Sequence, residues 1–292
     1  MKYLIIPDIH SRWEVAEKTI KHVEGVDKVV FLGDYFDDFH DDPHIAAETA
    51  DWFHHSINQK NRIHLCGNHE LHYWFADNKS VRCSGYEQSK SFAINDIVTA
   101  QDWKKLIFFY VLDDTWLLTH AGVHPCWINP AKFKEKLPVE TTLKKLTNKL
   151  TRESEEFLRD TGREKLHWFD IPGRSRCRNS PYYGGLLWCD WTQEFWPTRG
   201  IHQLIGHTPL RGYETPWRFL KEGDPVTHTG ALRVVPKPSN ETSYNLCLDS
   251  HPGSQFYAVY ENGNLTIHRN PFVTIHETRA WDDITQFDTT QS

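Results

Sequence analysis

No stretch of this 292-residue chain approaches the roughly 18 consecutive apolar residues of a membrane-spanning helix. The opening MKYLIIPDIH is apolar for only a few residues before Pro7, Asp8 and His10, too short for a secretory signal core, and a cytoplasmic location is expected. Positive charge is not in excess: 33 Lys and Arg face 39 Asp and Glu, for a net charge of −6. Extended nucleic acid is therefore disfavoured as a partner, because phosphate backbones are held by a basic face. The six cysteines (Cys66, Cys83, Cys126, Cys177, Cys189, Cys247) show no C-x-x-C spacing, which excludes a zinc ribbon, and they read as reduced thiols rather than a disulfide framework. A chain of this length buries a core without such staples. Methionine occurs only as the initiator.

Several catalytic signatures are missing too. There is no Walker A loop, no dinucleotide-binding glycine fingerprint and no Gly-x-Ser-x-Gly elbow. His69-Glu70-Leu71-His72 resembles a zinc-protease helix, but that motif needs its second His four residues on, where Tyr73 stands. What the chain has in quantity is histidine, 18 residues, the commonest metal ligand and the side chain that titrates near neutrality. Most of these must be ordinary surface or core residues, so composition points only weakly to a metal or acid–base site.

Hydrophobic patterning alternates strands and helices. Lys2–Ile6, Lys28–Leu32 and Arg62–Leu65 read as buried strands, separated by a helix from Ser11 to about Glu24, with Ser11 as its N-cap, and a second over His44–Ile57, entered through Pro43. This order predicts parallel strands with helices on the sheet faces. Phe108–Leu112 and Thr115–Thr119 read as strands joined by Asp113-Asp114. Residues 139–159 form an amphipathic helix on the outside of the core, and Pro172–Gly185 is loop. Strands return at Ile201–Ile205, Tyr244–Leu248, Phe256–Tyr260 and Leu265–His268, the last pair joined through Asn262-Gly263. One domain is expected over residues 1–275, with residues 126–200 as a cap or insert and 276–292 as a polar tail. Trp103, Trp116 and Trp168 read as core. Trp127, Trp188, Trp191, Trp196 and Trp217 lie in the loop-rich half, where one or two would line a substrate entrance.

Five segments follow strand ends, where ligand sites of such sheets lie. They are Asp8-Ile9-His10, Gly33-Asp34-Tyr35-Phe36-Asp37, Gly67-Asn68-His69-Glu70, His120-Ala121-Gly122 and Gly206-His207-Thr208. Each alone is weak, since a lone Asp-x-His or Gly-Asp is common by chance. Together they form a mixed oxygen–nitrogen donor set that suits manganese, iron or zinc better than magnesium or calcium. The glycines before Asp34, Asn68 and His207 are expected to allow sharp turns.

This series, D-x-H, G-D-x-x-D, G-N-H-E, H and G-H over residues 8–208, resembles that of the calcineurin-like metallophosphoesterases. It is most similar to the branch holding the phosphoprotein phosphatases and the bacterial diadenosine tetraphosphatase-like enzymes. Leu186-Leu187-Trp188-Cys189-Asp190 resembles a segment of the former, and Gly206-His207-Thr208-Pro209 one of the latter. The resemblance implies an α/β fold with a two-sheet β-sandwich flanked by helices, and two divalent metals, manganese by preference, with iron, zinc or nickel as alternatives. Asp34 would bridge the metals, Asp8 and His10 would hold the first, and Asn68, His120 and His207 the second. It implies hydrolysis of phosphomonoesters, of a phosphoprotein or a small phosphorylated metabolite, by a hydroxide between the metals, with His69 as general acid oriented by Asp37. Pyrophosphate or phosphodiester cleavage on the same centre is the alternative, and a non-catalytic scaffold is a more distant one.

The resemblance departs at Asp38. Protein phosphatases carry there an Arg that binds phosphate, and a carboxylate repels it. Asp38 is expected to be solvated, with Asp41 or Asp42 capping the next helix, and Arg174, Arg176 or Arg178 is expected to supply the phosphate-binding cation.

Overall fold

The computed structural model describes residues 1–38, 40–159, 167–210, 227–228, 232–236, 242–249, 255–273 and 285–288. The chain opens with strand β1 (Lys2–Ile6), helix α1 (Trp13–His22), strand β2 (Lys28–Phe31), helix α2 (Pro43–Ile57) and strand β3 (Arg62–His64). The expected alternation is present, and β1, β2 and β3 run parallel. Helices α3 (Asn68–Trp74), α4 (Gln88–Asn95) and α5 (Ala100–Trp103) lead to the hairpin of β4 (Phe109–Leu112) and β5 (Trp116–Thr119). Asp113 and Asp114 close that hairpin with both residues left-handed, the turn whose twist matches the strands. Helices α6 (Pro125–Ile128), α7 (Pro130–Lys134) and α8 (Leu143–Arg159) precede β6 (His202–Ile205). The remaining strands are β7 (Thr227–His228), β8 (Leu232–Pro236), β9 (Thr242–Cys247), β10 (Phe256–Glu261), β11 (Asn264–Arg269) and β12 (Thr285–Asp288).

The described strands form two six-stranded sheets, ordered β12-β11-β10-β1-β2-β3 and β4-β5-β6-β9-β8-β7. This is the two-sheet arrangement that the resemblance implied. Strand periodicity explains it: Ile5, Val30, Leu118 and Leu204 join one buried cluster with Ala258 and Leu246, while Leu4, Ile6, Val29, Phe31 and Leu117 join another with residues of α2, α5 and α8. Strands buried on both faces read as continuous apolar runs, which is why they stood out in the sequence. No described helix is long and apolar enough to cross a membrane.

Two local expectations are corrected and a third is met. Ser11 does not cap α1, because Arg12 holds that position; Ser11 is left-handed (φ 62°) and its hydroxyl donates to Asp41 instead. Asp42 caps α2, its carboxylate accepting from the backbone of His44 and Ile45 at 2.8 and 2.9 Å. Within the segment read as a polar tail, Thr285–Asp288 pair with β11 as an edge strand, since a sheet edge forms through backbone groups and needs no apolar side chain. The boundary at 275/276 and Trp217 lie outside the described residues. Trp103, Trp116 and Trp168 are buried, as is Trp191, whereas the Trp188 ring faces His207 at 5.9 Å.

Candidate metal centre and active site

The backbone is unusual where three of the five segments leave their strands. His10, Asp34, Asp37 and His207 are left-handed without being glycine, with φ of 41°, 53°, 67° and 70°. Such conformations cost energy and persist where surrounding contacts hold them. The glycines serve different needs. Gly33 has a left-handed φ of 106°, whereas Gly67 and Gly206 do not; they are needed for space. A Cβ on Gly67 would lie 2.2 Å from Asp34 Oδ1, and one on Gly206 would lie 2.0 Å from Asp8 Oδ1.

Four donor groups converge at the end of β5. His120 Nε2 lies 3.0 Å from Asn68 Oδ1, 3.1 Å from His207 Nδ1 and 3.4 Å from Asp34 Oδ2. Its other nitrogen donates to the Leu32 carbonyl at 2.9 Å, which leaves Nε2 facing the cluster, with a lone pair for a cation that displaces its proton. Converging lone pairs on one nitrogen, one amide oxygen, one imidazole and one carboxylate are what a bound cation satisfies, so these residues fit a metal. His10 Nε2 lies 3.9 Å from the same Asp34 oxygen, and its Nδ1 meets the Phe36 carbonyl at 3.0 Å. Asp34 thus faces both groups. Ligand atoms of Asp34, His120 and His207 lie within 4.8 Å of one another, and so do those of His10, Asp34 and His69. Asp8 is in neither trio. It is fully buried, and both its oxygens accept the His207 backbone N–H, at 3.0 and 2.9 Å.

The charges interact strongly. Burial pushes the Asp8 carboxyl well up, and Asp249 adds to it. Burial pushes Asp34 the same way, but His120 and His69 outweigh it and hold its carboxyl well below the usual range. Burial draws His120 down, yet Asp34 and Asp8 raise it to about 9. His207 is held well below its ordinary value by burial and then by the nearby Arg176 guanidinium.

His69 is the first residue after Asn68 on α3, and its Nδ1 lies 3.0 Å from Asp37 Oδ2. Burial lowers the His69 pKa, but Cys83, Asp34 and Asp37 reverse this and hold it well above the ordinary value. Asp37 gathers more than His69: His72 Nε2 at 2.8 Å on the same oxygen, and Tyr73 Oη at 2.6 Å and Lys90 Nζ at 2.8 Å on the other. In the sequence His72 and Tyr73 stand out only as a failed zinc-protease motif, Lys90 carries no signal, and Glu70 closes the G-N-H-E motif with no evident task. The Glu70 carboxylate is buried and accepts the backbone N–H of Gly67 (2.7 Å), Asp34 (2.9 Å) and Tyr35 (2.8 Å), tying two site turns together.

Asp38 is not simply solvated. It is half-buried and pairs with Arg12, whose Nε and Nη2 lie 3.2 and 3.0 Å from its Oδ2. Of the three loop arginines, Arg176 Nε is 3.2 Å from the buried Asp190 and its charge reaches His207. Arg174 stacks on the Tyr183 ring at 4.2 Å, and Arg178 is exposed.

Two sheets whose strand ends bring Asp, Asn and His side chains together, with a His–Asp pair beside them, fit a metallophosphoesterase. The Calcineurin-like phosphoesterase family model matches residues 1–228, and the chain belongs to that family. It is therefore a metal-dependent hydrolase of phosphoric esters, and the cofactors of its family are divalent metal ions. Among solved structures, the chain is similar to a metallophosphoesterase from Sphaerobacter thermophilus (16% identity, 94% of this chain and 89% of that one, TM-score 0.42). It is similar as well to a protein serine/threonine phosphatase from Saccharomyces cerevisiae (14%, 99% and 80%, TM-score 0.41) and to the phosphoesterase Yfce from E. coli (12%, 94% and 96%, TM-score 0.34). None of the curated proteins compared with the chain matches it. The assignment rests on the family match.

Proposed function

We propose that the chain hydrolyses phosphomonoesters, of a phosphoprotein or a small phosphorylated metabolite, at a centre for two divalent cations. The observation that carries this reading is Asp34, whose one oxygen faces His10 on one side and His120 on the other, with the His69–Asp37 pair alongside. Asp8 and His10 would hold one cation, Asn68, His120 and His207 the other, and Asp34 both. When bound, the cations would neutralise the phosphoryl oxygens and acidify the attacking water, and manganese suits this mixed donor set.

The protein's own part is positioning and proton transfer. Asp37 accepts the Nδ1–H of His69, so the proton on Nε2 is the one His69 delivers to the departing oxygen. Arg176, anchored by Asp190, would supply the guanidinium that holds a substrate phosphate.

The test compares 4-nitrophenyl phosphate with its bis ester on manganese-loaded enzyme. Faster monoester turnover that disappears in Asp34→Asn supports the reading. His69→Asn is expected to lower turnover by about 10²–10⁴-fold while two metals stay bound. Faster diester turnover would move the substrate class to nucleotides, and no turnover on either with metals in place would favour a scaffold.

A further inference from the structure

His72 and Cys83 have no place in the proposed metal pair, yet they face His69. A ring nitrogen of His69, one of His72 and the Cys83 sulfur lie within 4.8 Å of one another. Behind both rings stands one acceptor, Asp37 Oδ2, 3.0 Å from His69 Nδ1 and 2.8 Å from His72 Nε2. An imidazole that donates one N–H to a carboxylate carries its lone pair on the other nitrogen, the arrangement by which proteins orient metal-binding histidines. Asp37 does this for His69, and its carboxylate charge stands beside the His72 ring as well. His72 Nδ1, which accepts the Cys83 backbone N–H at 3.4 Å and so carries a lone pair, lies 3.2 Å from Cys83 Sγ, close to the spacing of two ligands on one tetrahedral zinc. His69 and Cys83 are partly exposed, so a cation can enter and a water can complete the shell.

The donor chemistry separates this cluster from the centre beside it. One thiolate and two imidazoles select zinc or another thiophilic cation, whereas the carboxylate, amide and imidazole set around Asp34 suits harder ions. We propose that His69, His72 and Cys83 form an inhibitory site for a thiophilic divalent cation, separate from the catalytic metals. On binding, the cation takes the Cys83 sulfur as thiolate and a ring nitrogen of His69, releasing their protons to solvent. His69 then has no proton for the leaving group. The inhibitory effect rests on the reading of His69 as the acid, but the site itself does not.

Manganese-loaded enzyme is titrated with Cd²⁺, reading the ultraviolet thiolate-to-cadmium absorption, and in parallel with Zn²⁺, reading turnover and retained manganese. The wild type is expected to gain one equivalent of thiolate-bound cadmium that Cys83→Ser and Cys83→Ala both lack. Zinc inhibition is read against each variant's own zinc-free turnover, and half-inhibition by zinc is expected to move up by at least about tenfold in both variants. Equal cadmium absorption in wild type and variants, equal zinc sensitivity, or zinc inhibition that tracks manganese loss would each overturn the proposal. Should no ester be turned over, the absorption still decides whether the site exists, and the failure belongs to the proposed function.

Discussion

The ammonium of Lys90 sits 2.8 Å from Asp37 Oδ1, with both side chains almost wholly buried. It shares that oxygen with the Tyr73 hydroxyl, while His69 and His72 occupy the other. One carboxylate thus serves a lysine and two imidazoles, so Lys90 limits how firmly Asp37 holds the His69 proton. Lys90→Met should lower turnover by about 10–100-fold on esters with poor leaving groups such as phenyl phosphate. It should do far less on 4-nitrophenyl phosphate, whose leaving group needs no acid. Lys90→Arg should recover part of the loss, with metal content constant throughout. An equal loss on both esters would make Lys90 merely structural.

Glu70 joins the turn after β2 to the start of α3 through three backbone N–H groups. In Glu70→Gln, the amide NH₂ must face at least one of those donors. A loss of about 2–4 kcal/mol in urea unfolding is expected, with weaker manganese binding, since Asp34 and Asn68 lie on the joined turns. Unchanged affinity would separate the clamp from the metal centre.

Arginine replacements distinguish the loop cations. Arg176→Ala should raise KM for a phosphomonoester by about tenfold, the loss of one charge-assisted pair, and Arg178→Ala should leave it unchanged. Arg174 is engaged with Tyr183, so Arg174→Ala is expected to affect stability more than KM. A dominant effect at Arg178 would shift the phosphate site along the loop.

His64 is buried away from the metal centre, stacked on Phe31 and 3.0 Å from the Ser56 hydroxyl. Burial, reinforced by Arg62, pulls its pKa down to about 3. Unfolded, it titrates near its ordinary value of 6.5, so between these values the unfolded chain takes up a proton that the folded one refuses. Its contribution is complete above pH 6.5 and is lost as pH falls toward 3, at up to about 1.4 kcal/mol per pH unit. Urea melts from pH 7 to 4 should show a shallower decline in His64→Gln than in wild type, and parallel curves would contradict this.

The site was legible where chemistry and local conformation coincide in a short motif. Asp8, His10, Asp34, Asn68, His120 and His207 follow strands that announce themselves as apolar runs, so type and position could be read together. The residues around Asp37 carry no such mark. Helix α4 buries Lys90 and leaves Phe92 65% exposed, the reverse of what hydropathy implies, because the lysine's partner lies 53 residues away. Arg12 was equally silent: its pairing with Asp38 depends on two turns meeting, and neither turn encodes the other.

By itself, then, the sequence determined the strand-and-helix order, the candidate metal-ligating residues and the His69–Asp37 pair, since each depends on local pattern or on a motif with fixed spacing. Only the tertiary structure decided which charges neutralise one another: Lys90 on Asp37, Arg12 on Asp38, Glu70 across two turns, and Cys83 against His72. Those choices are made by distance and burial after the chain has folded. A Coulomb interaction falls with separation in space, and sequence separation does not enter it.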